Sequence, residues 1–367
     1  MGVRWGKRNP IVDRKPYKGR GAVSNTTGRY EHQTIEPFDD GWSDFEQDTV
    51  ALKTTVQSDS TRSVLAFNQS PDVPFDRSIN PYRGCEHGCV YCFARPSHAY
   101  LGFSPGIDFE TRLFSKPNAA KLLSKELRKS GYQCQPVALG INTDAYQPIE
   151  RQLKITRSIL EVLRDFNHPV SIVTKSSMVE RDIDILTDMA SRNQASVCVS
   201  VTTLDGTLAR KLEPRATAPQ RRLHTIAALA EAGIPVTTLI APVIPVLTDP
   251  ELESIVEAVA SAGATSAGYI LLRLPLEVAC LFEEWLQTHY PLKAEHVMKR
   301  VRDTQGGKNY DSRFGHRMRG SGAFALIIEK RFARARTQYN LGIRDVALNC
   351  SAFKPPQQSG DQIGLFE

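Results

Sequence analysis

From about residue 63 onward the chain alternates two patterns. Short apolar runs rich in Val, Ile and Leu predict strands, and stretches whose apolar positions recur every three to four residues predict amphipathic helices. On that reading a strand over 76–82 leads to helix 116–130 and strand 135–142, then helix 156–166 and strand 170–175. Helix 180–193, strand 195–202, helix 219–232, strand 235–241, helix 250–262 and strand 266–272 follow. Beyond 277 the pattern turns helical, over 282–289, 294–302 and 323–336, with a Gly-rich basic stretch from 306 to 322 interrupting it. Residues 1–62 are polar, without sustained period, and predict a largely disordered arm. The tail over 341–367 ends Pro/Gln/Gly-rich and predicts a flexible terminus.

Six strands alternating with helices predict a parallel α/β sheet covered on both faces, which is why the strands read as continuous apolar runs rather than alternating ones. Six βα units fall short of the eight of a closed barrel. With 41% hydrophobic and 23% charged residues the composition is that of an ordinary soluble protein. No apolar run has the length of a membrane span, and the first residues lack the apolar core of a secretory signal. Cys134, Cys198, Cys280 and Cys350 are scattered without a pairing pattern. That usage predicts a reducing, cytoplasmic setting and no membrane partner.

Charge is uneven. Residues 1–33 carry eight Lys/Arg against two Asp/Glu, and residues 299–336 carry eleven against three. Two basic flanks around a more acidic body predict a polyanion as partner.

The chemistry lies in Cys85, Cys89 and Cys92, spaced C-x3-C-x2-C with Gly84, Gly88 and Tyr91 interleaved. Cysteine thiolates hold iron–sulfur clusters, and three on one short loop would occupy three corners of a [4Fe–4S] cube and leave one iron open to a small molecule. A structural zinc completed by His87 or His98 is the alternative, but such sites want four closed ligands.

C-x3-C-x2-C with an aromatic before the third cysteine resembles the radical S-adenosylmethionine (SAM) superfamily. The surrounding residues 80–98 resemble its spore photoproduct lyase-like branch, often labelled DNA repair photolyase-like, and the likeness runs from about 77 to 275. The resemblance implies a partial (β/α)6 barrel over 63–280, followed by a basic, mainly helical extension over 281–340. It implies a [4Fe–4S] cluster whose open iron binds SAM, an electron donor such as flavodoxin or ferredoxin, and reductive cleavage of SAM to methionine and a 5′-deoxyadenosyl radical that abstracts hydrogen from substrate. Spore photoproduct lyases also carry a cysteine at the end of the second barrel strand that returns a hydrogen atom. Here that stretch reads Leu139-Gly140-Ile141-Asn142, so the likeness carries the radical generator and not the lesion chemistry.

In barrels of parallel strands, chemistry gathers at the strands' C-terminal ends. Those ends supply Thr143, Asp144, Lys175, Ser200 and Thr202. The resemblance implies that Lys175 holds SAM's carboxylate and that Ser200 and Thr202 meet its ribose or carboxylate. It places Thr143 and Asp144 where SAM's amino group binds, matches Arg222 to an arginine common in the branch, and sets Tyr91 against the cofactor.

In the basic stretch, Lys308, Tyr310, Arg313, Arg317 and Arg319 lie close in sequence, a pattern of cations and aromatics suited to phosphates and unstacked bases. The terminal Gln362-Ile363-Gly364-Leu365-Phe366 resembles the peptide by which bacterial polymerases and repair enzymes dock on the replicative sliding clamp. The function predicted is a radical SAM enzyme acting on nucleic acid, in repair or base modification. The alternatives are one acting on a protein or small metabolite, or a non-catalytic nucleic-acid-binding protein with a structural cluster.

Overall fold

A computed structural model describes residues 16–31, 52–342 and 347–357. Its strands are β1 (Thr55–Ser58), β2 (Leu65–Phe67), β3 (Arg77–Ile79), β4 (Tyr82–Arg83), β5 (Arg112–Ser115), β6 (Val137–Leu139), β7 (Val170–Thr174), β8 (Ala195–Ser200), β9 (Val236–Val243) and β10 (Ser266–Leu271). Seven form one sheet in the order β10-β9-β8-β7-β6-β3-β2. From β3 to β10 every neighbouring pair is parallel; β2 closes the far edge antiparallel to β3. Six parallel strands in sequential order, with β10 and β2 left as separate edges, make the expected partial (β/α)6 barrel.

Burial explains the apolar runs. All six residues of β8 are buried, as a strand covered on both faces requires. Helices Ala119–Leu127, Ile155–Asp165, Ile183–Ser191, Pro219–Glu231 and Leu252–Ser261 bury Leu123, Ile159, Leu186, Leu229 and Val256 against the strands in one core. The exposed edge of β10 is covered from both ends, since Gly342 bridges Ser266 and the Met318 carbonyl accepts from the Leu271 amide (2.9 Å). Such cover prevents edge-to-edge pairing with another chain.

The sequence reading placed the helices of the extension well. Val278–His289, Pro291–Thr304 and Gly322–Gln338 fall over the three predicted segments. The described parts of the arm and tail make specific contacts. β1, inside the predicted arm, pairs in parallel with β5, and β5 pairs antiparallel with β4, in a small three-stranded sheet. Residues 347–357 pack on the end of the barrel where strands begin: Phe353 lies 5.4 Å from the Tyr132 ring, and the Lys354 amide donates to the Phe166 carbonyl (3.0 Å). The clamp-like residues Gln362, Ile363, Leu365 and Phe366 lie outside the described residues. Among the described residues no helix is long and apolar enough to cross a membrane.

Candidate active site

β4 delivers the chain into the cysteine loop, and two glycines shape it. Gly84 (φ 74°) and Gly88 (φ 67°) occupy the left-handed region. A Cβ on Gly84 would meet the Phe109 carbonyl oxygen at 2.9 Å, and one on Gly88 would meet Glu110 Oε2 at 2.7 Å. Glycine alone fits both demands. Arg95, fully buried, pins the loop from beneath: its guanidinium donates to the carbonyls of Cys89 (2.9 Å), Gly88 (3.2 Å), Pro105 (3.0 Å) and Gly106 (2.9 Å) and pairs with Glu110 (2.5 Å). Glu110 accepts in turn from the amides of Gly21 (3.0 Å) and Ala22 (2.9 Å), which ties the N-terminal segment to the loop. A buried charge so completely partnered is strongly positioned.

The loop roofs a cavity of about 170 Å³ at the C-terminal ends of the strands, lined by Cys85, Cys89, Cys92, Tyr91, Phe93, Lys175, Ser200 and Arg273 among others. Burial pushes all three thiols above their ordinary pKa, helped at Cys85 by Asp144 and at Cys89 by Glu213. Metal loading must therefore release protons.

Beneath Tyr91 lies a second cluster of charges. Glu213 accepts from the Tyr91 hydroxyl, from Thr202 Oγ1 (2.6 Å) and from the buried Arg222 guanidinium, with Lys175 Nζ 3.6 Å away. Burial alone would raise the Glu213 carboxyl, but Arg222 and Lys175 outweigh it and hold it well below the usual carboxylate range. Lys175 Nζ also donates to the Ala241 carbonyl (3.3 Å) and stands 6.0 Å from the Tyr91 ring centre.

The structure thus brings Tyr91, Lys175, Ser200 and Asp144 to the cavity wall with the cysteines. Thr202 and Arg222 stand behind it and act on the cavity through Glu213. Asp144 is already engaged. Its carboxylate accepts from Thr174 Oγ1 (2.8 Å) and the amides of Tyr146 (2.9 Å) and Lys175 (2.7 Å), with His87 Nδ1 3.3 Å away. Burial opposes its charge, yet His87 and these donors keep the carboxyl low. Thr143 turns its hydroxyl to the Tyr82 carbonyl (3.0 Å). Glu213 and Arg95 were not singled out from sequence. Arg95 three residues after the last cysteine was the available signal; Glu213 had none, because its partners converge only in the fold.

The basic stretch reaches the open edge between β10 and β2. Met318 sits on the end of β10, while Arg317 pairs with Asp72 (2.5 Å) and Ser70 (2.5 Å) and the Gly315 amide donates to Asp72 (2.7 Å), across the turn after β2. Arg319 lies over the Tyr269 ring at 4.3 Å, Arg313 pairs with Asp311 (2.6 Å), and Lys308 is exposed. Tyr310 and Arg317 lie close enough to Arg273, on the cavity wall, to perturb its charge.

A family model described as the radical SAM superfamily matches residues 79–259. An uncharacterized protein of Mycobacterium bovis is 38% identical over 231 residues, covering 62% of this chain and 68% of that protein. The chain belongs to the radical SAM superfamily. An uncharacterized protein of Methanocaldococcus jannaschii is 28% identical over 61% of this chain and 80% of its own length. Spore photoproduct lyase shares the fold, with a TM-score of 0.55 at 16% identity over 84% of this chain and 86% of that one. The same lyase complexed with dinucleoside spore photoproduct matches at 0.55 and 14% identity, over 77% and 79%.

The superfamily's cofactors are a [4Fe–4S] cluster and SAM, and the chemistry of the residues lining the cavity suits both. Among the described residues no three His, Cys, Asp or Glu side chains converge on a single ion, although three thiols line one cavity. A tetrahedral zinc needs its thiolates within roughly 4 Å of each other, whereas a cluster takes each thiolate on a separate iron. For SAM, the wall offers the Lys175 ammonium, the Ser200 hydroxyl, the Tyr91 and Phe93 rings and the apolar Leu239, Ile270 and Leu271.

Proposed function

We propose that this radical SAM enzyme acts on nucleic acid, with Cys85, Cys89 and Cys92 holding the cluster and Lys175 the SAM carboxylate. Once bound and reduced, the cluster supplies the electron that splits SAM to methionine and a 5′-deoxyadenosyl radical able to take hydrogen from a substrate. Lys175 suits its role as a compact cation, oriented by the Ala241 carbonyl and by Glu213. Ser200 adds a hydroxyl on the same wall. Glu213 and Arg222 keep Lys175 and Tyr91 in place. The burial of the cysteine loop keeps water from the reacting centre.

The observation that carries the substrate reading is the basic strap over 308–319, which crosses the barrel's open edge between β10 and β2, the Met318 carbonyl on Leu271 at one side and Arg317 on Asp72 at the other. A substrate entering there passes cations that suit phosphates. The fold-mate complexed with dinucleoside spore photoproduct supports the same class. This chain lacks a cysteine at the end of β6, where Gly140, Ile141 and Asn142 line the cavity, so a different lesion or base is its target. The test is binding of single- and double-stranded DNA and RNA across a salt series. A log–log slope of several released counterions is expected; no salt-dependent binding of any of them would end the reading.

The reductant in this reading is a flavodoxin- or ferredoxin-type donor. Recruitment to DNA runs through the clamp-like tail, so deletion of 362–367 is expected to abolish binding to purified sliding clamp. Absence of binding by the intact protein would refute that recruitment.

A further inference from the structure

On the surface, two tyrosines from distant parts of the chain stack on each other. Tyr30 belongs to the N-terminal segment 16–31, and Tyr100 to the 3-10 helix Arg95–Leu101 that leaves the third cysteine. Their ring centroids are 5.3 Å apart at 29°. Arg29 stands 5.4 and 5.7 Å from the two rings, fixed by Glu277 (2.5 Å) and by the Pro96 carbonyl (3.5 Å). Yet Tyr30 remains 51% and Tyr100 69% exposed. Rings that served only to fasten the arm would bury their faces, which carry most of an aromatic's packing energy. Here the outer faces are left to water although the rings are held in register.

A second aromatic–arginine pair stands on the cavity wall itself. Phe93, eight residues into the same loop and helix from Cys85, is 39% exposed, lines the cavity and carries the Arg273 guanidinium 4.4 Å from its ring centre. Exposed aromatics interleaved with arginines are the surface on which unpaired bases stack while cations follow the backbone.

We propose that the Tyr100–Tyr30 pair with Arg29 is a stacking platform for an unpaired base of single-stranded or looped-out nucleic acid, adjoining the nucleotide presented to the cavity. This rests on the nucleic-acid reading above. The platform holds the strand by a base face rather than by a base edge, so it is tolerant of sequence, and it orients the strand relative to the cysteine loop because Tyr100 and Cys92 share one rigid segment.

The test is fluorescence anisotropy of the reconstituted protein with labelled oligothymidylate and with an abasic oligomer of equal length. Tyr100→Ala is expected to weaken oligothymidylate binding about ten- to hundredfold with an unchanged salt slope. It should leave the abasic oligomer's affinity unaltered, and Tyr100→Trp should restore binding. Native affinity in Tyr100→Ala, or native protein binding both oligomers equally, would overturn the platform. Failure of the native protein to bind either oligomer would instead remove the nucleic-acid reading on which it rests.

Discussion

Buried Glu213 gathers four partners, and its replacement separates two roles. In Glu213→Gln the Arg222 guanidinium and Lys175 ammonium lose their counter-charge. The expected loss is about 3–5 kcal/mol of unfolding free energy, typical of a broken buried ion pair, measurable by urea titration. Because the folded carboxyl is held low, its stabilisation is complete above the unfolded pKa of about 4.3 and is lost as pH falls below that. Two buried histidines act in a higher window. Burial lowers His98 and His168 to about 4, so the unfolded chain takes up their protons first and stability declines as pH falls from about 6.5 toward 4. His98 lies among Phe103, Phe109 and Phe114 with neither ring nitrogen hydrogen-bonded. His98→Phe is therefore expected to flatten that decline while changing stability at pH 7 by about 1 kcal/mol or less; an unchanged pH profile would refute this. At Lys175, truncation to Met should weaken SAM binding about tenfold or more without reducing iron content, which equilibrium dialysis and iron assay can separate. Tyr91 and Lys175 were legible in the sequence, one from the motif and one from its place at the end of an apolar run. Glu213 was not, since nothing local marks a glutamate before Pro214 as the hub of residues from 91 to 222.

At the scale of elements, the cysteine loop is the most constrained segment. A methyl on Gly88 would press on Glu110 Oε2, which already accepts from the Gly21 amide, in a carboxylate whose other oxygen is held by Arg95 and the Ala22 amide, while Gly102 (φ 73°) has open space around it. Gly88→Ala is expected to cut iron and sulfide per chain severely. Gly102→Ala should cost only the left-handed backbone penalty of about 1–2 kcal/mol and load normally. Equal iron content in the two would contradict the steric argument. The parallel strands and their helices could be read from pattern because β6 and β8 are buried throughout, the other strands bury at least every second residue, and the helices bury one face. β1, β4 and β5 could not: strands of two to four residues carry too little pattern, and their pairing joins residues 55, 82 and 112. The described parts of the arm, residues 16–31 and 52–62, were equally illegible. Polar composition hid the backbone contacts by which Gly21 and Ala22 grip Glu110.

For the molecule as a whole, the proposed substrate reading turns on how a basic strap meets the barrel's open edge. Sequence showed the charge of residues 299–336 but not that Arg317 would cross to Asp72, far away in the chain. Asp72→Asn is expected to loosen the strap and speed tryptic cleavage between 308 and 319 without changing iron content, because an exposed local segment opens independently of the core. The claim on which the rest depends is that the cavity generates a radical from SAM. The decisive measurement is anaerobic: reconstitute the cluster, reduce it, add SAM and quantify 5′-deoxyadenosine for the native protein beside Cys89→Ala. Formation by the native protein alone is the expected result. An intact, reduced cluster with no 5′-deoxyadenosine would contradict it and leave a structural cluster in a nucleic-acid-binding protein.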